Sequence, residues 1–256
     1  MVNLSSAIFI LLLFFNDLGG LLNNKNKNIG ITDSNSSKNY IVGKTDVIEL
    51  GYVETYEKLP KLAFNKITET EFNSYTTENF LITPKFKQNK NYFYIKTKTK
   101  NYKFKKDKNN SGNGSEFLGY YPKLKLFALT NNSTTEGLGF GELMLIDGET
   151  DYKYRIISIG DASVEKPIPS MNNKYLVYYY NNVYEHKNSF IGVLKVNEKS
   201  NPKQFLQEYQ SFQSDYFAIE KIIWKDDNIF IVKGFEEKYI NQKWIKEYSY
   251  YQTTFK

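Results

Sequence analysis

Residues 142–180 read ELMLIDGETDYKYRIISIGDASVEKPIPSMNNKYLVYYY, and the order of apolar runs and turn signals in them decides the fold class. Residues 143–146 are an apolar run ended by Asp147-Gly148, a pair suited to a tight turn because Gly tolerates positive φ and Asp can bond its own backbone. Residues 155–159 read as a β-branched strand closed by Gly160-Asp161. Pro167 and Pro169 forbid a helix and belong at strand starts or sheet edges. Asn172-Asn173 then turns the chain into YLVYYY, apolar or aromatic at every position and too short for an ordinary helix. Such a run fits a strand covered on both faces.

The same logic extends outward as a repeat. Three strand pairs align: YPKLKLFALT with GELMLID, NNKYLVYYYN with SFIGVLKV, and DDNIFIVKGF with KWIKEYSYY. Within pairs, Phe127 to Glu142 is 15 residues, Leu176 to Phe190 is 14 and Phe230 to Trp244 is 14; between pairs the steps are 49 and 54. A period near fifty with several strands per unit is what a propeller blade requires, because each small sheet buries its faces only against its neighbours. RIISIG and KQFLQEYQSF supply a further strand per unit.

On these residues the central copy resembles a TolB-type or WD-repeat-like propeller blade. Ser170, Asn173 and Lys174 stand where that family's turn places Ser, Gly and Lys, while Met171 and Asn172 replace its Pro and Asp. The resemblance covers residues 117–256 and implies a fold, with the role of a binding platform rather than a catalyst. With three clear units and one further hairpin, the alternative to a closed ring is an incomplete propeller or a curved stack of small antiparallel sheets.

Composition agrees with an all-β chain. The 256 residues include 22 Tyr and 19 Phe but only 15 Gly, a balance that favours strands. With no Cys, disulfides and thiolate metal sites are excluded, and stability must come from packing. One short helix is expected near residues 68–76, where Thr68 and Glu71 make a capping box with Ile67 and Phe72 as a staple.

Ahead of the fold, residues 4–15, LSSAIFILLLFF, have the length of a signal-peptide core and are too short to span a bilayer. Residues 1–20 are therefore expected to be a leader and 21–39 a polar, Asn/Ser-rich linker, leaving 40–256 as a single β-rich domain in an exported protein, periplasmic or extracellular. No Lys or Arg precedes the apolar run, and Gly19-Gly20 is the nearest cleavage site.

The formal charge of +6 is concentrated in one place. Residues 85–108 hold ten Lys and one acid, Asp107, while the rest of the chain carries 24 basic and 27 acidic residues. YFYIK and NYKFK flank KTKTK and read as a hairpin with Tyr102 and Phe104 on one face and Lys103 and Lys105 on the other. Lys96, Lys98, Lys100, Lys103 and Lys105 are the candidate polyanion-binding residues, since aromatics interleaved with Lys suit stacking plus charge. The plainer reading is that Lys guards a sheet edge. Arg155 is the only Arg, so the usual bidentate reader of phosphate and guanine is nearly absent and nucleic acid is not the expected partner.

Catalytic groups are sparse. His186 is the single histidine and stands in the polar loop YEHKN without a serine motif. Gly137, Gly139 and Gly141 precede a strand rather than a helix N-terminus and read as a hairpin loop. Asp147, Glu149, Asp151, Asp226 and Asp227 lack EF-hand spacing and read as turn residues. Trp224, Trp244 and most tyrosines fall inside strand runs and read as core. No catalytic, cofactor or metal residues are assigned. The expectation is an exported, non-enzymatic, propeller-like scaffold that binds a protein or other envelope component. The alternatives are a hydrolase with carboxylates converging in a propeller channel, and a polyanion-binding module built on the Lys-rich hairpin.

Overall fold

The computed structural model describes residues 46–107, 112–135, 138–158, 164–182 and 187–254. Within them the chain is mostly β, and Lys44–Lys256 make one compact unit. The expected leader and linker lie outside the described residues, as do His186, Lys108 and Gly160-Asp161.

The chain runs through strand β1 (Val47–Leu50), helix α1 (Val53–Lys58), β2 (Phe64–Lys66), helix α2 (Glu69–Asn73), the hairpin β3 (Tyr92–Lys96) and β4 (Asn101–Lys105), then β5 (Gly114–Tyr121), β6 (Leu126–Thr135), β7 (Leu138–Asp147) and β8 (Lys153–Ile156). It continues through β9 (Ile168–Pro169), β10 (Tyr175–Asn181), β11 (Ser189–Val196), a 3-10 turn at Pro202–Gln204, β12 (Leu206–Ser214), β13 (Ala218–Trp224), β14 (Ile229–Ile240) and β15 (Lys243–Thr254).

Four small sheets result: a first of order β1-β8-β7-β6-β5, a second of order β12-β11-β10-β9, a third of order β13-β14-β15-β2, and the two-stranded β3–β4. Each aligned strand pair is a hairpin at the centre of its own sheet, β6–β7, β10–β11 and β14–β15. Pro169 sits in the edge strand β9, where a missing N–H costs no ladder bond. The sheets are antiparallel except at β1, which pairs parallel to β8. No closed propeller is detected among the described residues.

Packing follows from the period-2 alternation of side chains along each strand. In β10, Leu176, Tyr178 and Tyr180 join the core shared with the first sheet, against Leu126, Ala128, Leu143 and Leu145. Val177 and Tyr179 belong instead to the core shared with the third sheet, against Ile222, Trp224, Phe230 and Val232. YLVYYY is apolar throughout because both its faces are covered. On the far side of the first sheet, Leu129 and Ile146 meet Phe93 and Ile95 of the β3–β4 hairpin. On the far side of the third, Ile223 and Ile231 meet Phe72 of α2. The order of layers is therefore β3–β4, first sheet, second sheet, third sheet, α2.

The segment before α2 straps one edge of this stack. β1 lies on β8, Leu62 donates to Ser211 of β12 (2.9 Å), and β2 lies on β15. After α2 the chain returns along the opposite edge, where Ile82 and Tyr120 of β5 exchange bonds of 3.0 and 2.9 Å before residues 87–89 pair with β3.

Helix α2 forms where the capping pattern places it: the Thr68 hydroxyl accepts the Glu71 amide (3.1 Å), and Ile67 packs beside Phe72. Helix α1 has no such signal, since Tyr52 makes no side-chain cap. It is held by Tyr56, whose hydroxyl enters the ladder between β11 and β12, donating to the Ile191 carbonyl (2.8 Å) and accepting the Ile191 and Phe212 amides (3.1 and 3.3 Å). Two local expectations change. Gly139 and Gly141 lie inside β7, paired with Thr134 and Asn132, because β6 is long enough to keep them in register. In the β7–β8 turn the left-handed residue is Asp151 (φ 64°), while Asp147 bonds the Glu149 amide as the sequence implies (2.8 Å).

Candidate functional site

The lysine hairpin is one end of the stack. Its register pairs Tyr92 with Lys105, Phe93 with Phe104, Tyr94 with Lys103, Ile95 with Tyr102 and Lys96 with Asn101. Directly opposed residues share a face, so Phe93, Ile95, Tyr102 and Phe104 point to the first sheet. Tyr92, Tyr94, Lys96, Asn101, Lys103 and Lys105 make up the outward face. Tyr102 and Phe104 thus lie on the core side and Lys103 and Lys105 opposite, as expected, but Tyr92 and Tyr94 stand among the lysines.

The two tyrosines hold ammonium groups in place. Lys103 Nζ lies 4.0 Å from the Tyr92 ring centroid, and Lys87 Nζ lies 5.4 Å from that of Tyr94. One edge of β3 is already paired, with Tyr94 donating to the Lys87 carbonyl and Asn89 to that of Tyr92, both at 2.9 Å. Lys98 and Lys100 belong to the turn rather than to this face. Lys100 is 3.3 Å from Asp46, whose hydrogen bond holds its ammonium above the usual lysine range. Nearby, Lys153 sits 4.7 Å from the Tyr102 ring, and burial, then the Lys100 charge, pushes it below that range.

The buried acids are occupied in joining sheets. Asp147, Asp151 and Asp227 are the buried carboxylates among the described residues, at 0%, 5% and 7% exposure. Asp151 accepts the Thr97 and Thr99 hydroxyls, fixing the hairpin turn to the first sheet. Asp147 is 2.9 Å from the Lys199 ammonium, linking first and second sheets. Asp227 accepts the backbone and side-chain N–H of Asn172 (2.8 and 2.9 Å), linking second and third. Asp151 and Asp227 lie in the loops between strands and Asp147 ends β7 at the turn it bonds, and each also staples neighbouring layers.

A cavity of about 600 Å³ between hairpin and first sheet has Asp107 and Glu116 in its lining. Asp107 accepts from Asn132 (3.3 Å), and Glu116 is exposed. Among the described residues no three His, Asp or Glu side chains converge to hold a metal ion. Beside the lysine face, Phe86, Ile95, Phe117 and Phe127 line a second, more apolar cleft of about 380 Å³, with Lys85, Lys87 and Lys96 also in its lining.

The opposite end of the stack carries a surface the sequence reading missed. β14 and β15 pair without a break to Ile240 and Lys243, closed by Asn241 and Gln242 at φ 50° and 63°. β13 follows β14 only to Phe235, and β2 follows β15 only to Tyr251, so the distal half projects as an arm. Tyr239, Ile240, Trp244, Ile245 and Tyr248 are exposed there, Trp244 at 59%. Trp224 is core, as read; Trp244 is not, and the signal was the mismatch between a seven-residue β13 and the twelve-residue strands beyond it. Compared with known protein families, curated proteins and solved structures, the chain finds no match.

Proposed function

We propose that this protein is an exported, non-enzymatic binding scaffold, a propeller-like stack of sheets that holds out the β14–β15 arm to a protein partner. The observation that carries the reading is the arm itself. Tyr239 and Trp244 face each other across it with ring centroids 5.3 Å apart, while Lys238 and Glu247 form an ion pair on the other face. An apolar aromatic centre within a charged surround is the anatomy of a protein interface, and Trp and Tyr are the residues that most often dominate one. The recurrence of a small sheet built around a central hairpin, five-stranded in the first and four-stranded in the second and third, supports the propeller-like description. The leader-like residues 4–15 support export.

The test is capture from envelope and secreted fractions of the source cell at low and moderate salt, with the full chain and with Tyr239→Ser/Trp244→Ser. A protein retained at moderate salt by the parent and weakened roughly thirtyfold or more by the variant is the expected result. Retention that ignores both substitutions would rule the arm out.

A further inference from the structure

We infer that the outward face of the β3–β4 hairpin is a docking surface for an anionic lipid bilayer, separate from the arm at the other end of the stack. Lys96, Lys103 and Lys105 share this face with Tyr92 and Tyr94, and Lys85, Lys87 and Lys90 are exposed beside it. Lys103 and Lys87 lie over the two tyrosine rings, so the rings hold ammonium groups on this face. The face therefore recognises negative charge density, and residues 85–108 supply it against a slightly acidic remainder of the chain.

A further observation selects a bilayer over a soluble polyanion: the apolar cleft of about 380 Å³, with Phe86, Ile95, Phe117 and Phe127 beside Lys85, Lys87 and Lys96. A partner that offers acyl chains beneath anionic headgroups satisfies both chemistries; a charged polymer satisfies one. Tyrosines at the level of the lysines suit the same boundary.

The experiment is flotation of the full chain with vesicles of phosphatidylcholine alone or of phosphatidylcholine with 30% phosphatidylglycerol. Binding should favour the anionic vesicles at least tenfold and fall steeply as salt rises. Replacing Lys87, Lys96, Lys103 and Lys105 with Gln should weaken it by roughly fivefold per lysine, whereas Gln at Lys195, Lys203, Lys221 and Lys243 should leave it unchanged. The chain has no Cys, so a fluorophore on Asn101→Cys or Lys243→Cys reports position without relying on the lysine variants. The label at 101 should shift on anionic vesicles and the label at 243 should not. Equal binding to both vesicle types, an unshifted label at 101, or binding to heparin or poly(dT) without binding to vesicles would overturn the inference. Trp244→Ser should not affect lipid binding, so the two surfaces stand or fall separately.

Discussion

The phenol ring of Tyr178 lies against Gly192, its directly opposed partner on the neighbouring strand, in the space that a side chain at 192 would fill. A Cβ there would overlap the ring at Cε1, Cζ and Oη. The glycine is needed for close approach, and Tyr178, 2% exposed, fills the gap while facing the first sheet. Gly192→Ala should therefore lower stability by about 1–3 kcal/mol, or several degrees in Tm, measured by urea and thermal unfolding. Gly148→Ala, whose nearest neighbour would be Phe127 at 3.2 Å, should cost less.

Tyr56→Phe should destabilise by about 1–3 kcal/mol although it removes one oxygen. The hydroxyl bonds the backbone of β11 and β12 at Ile191 and Phe212, and without it those buried groups lose their partner. Burial pushes the phenol far above the ordinary tyrosine range, so the effect should not change between pH 6 and 9. Hydrogen exchange at Ile191 and Phe212 should quicken first.

Asp227 makes stability depend on acid. Burial alone would raise its carboxyl, but hydrogen bonds from Asn172, Ser170 and Lys174 outweigh that and hold it below the usual carboxylate range. A depressed folded value means that the contribution is complete above the unfolded carboxylate value near 4 and is lost as pH falls through the folded one. Unfolding measured from pH 6 down to 2 should show this loss, and Asp227→Ala should flatten that part of the profile while lowering stability at neutral pH.

Glu208 has the opposite sign. Its carboxylate accepts the Gly51 amide (2.8 Å), yet burial raises it above the usual range despite that bond. A raised acid weakens the fold as pH rises through its folded value, so Glu208→Gln, which keeps an acceptor oxygen, should be neutral or stabilising at pH 7. Chemical denaturation of the two proteins at pH 4 and pH 7 gives the comparison. A clear loss at pH 7 would mean that the ionised form is the preferred one.

Much of this architecture was legible because it is local. YLVYYY announces a doubly covered strand, the Thr68–Glu71 spacing announces α2, and the spacing of strand pairs announces repeated small sheets. Those signals depend on alternation, capping and turn chemistry within a few residues, which the chain carries wherever it folds. The candidate surfaces were half legible: charge marks the lysine hairpin, but its register, not its composition, puts Tyr92 and Tyr94 beside Lys103 and Lys105.

By itself, then, the sequence determined strand identity, the β class, the recurrence of sheets and the place of the charge. Tertiary structure alone decided which acids become staples, since Asp147, Asp151 and Asp227 find their partners at Lys199, Thr97 and Asn172, about fifty residues away along the chain. It also decided that Trp224 is buried and Trp244 exposed. Both tryptophans sit in strands, and their fates differ because a side chain is buried by whatever sheet reaches over it.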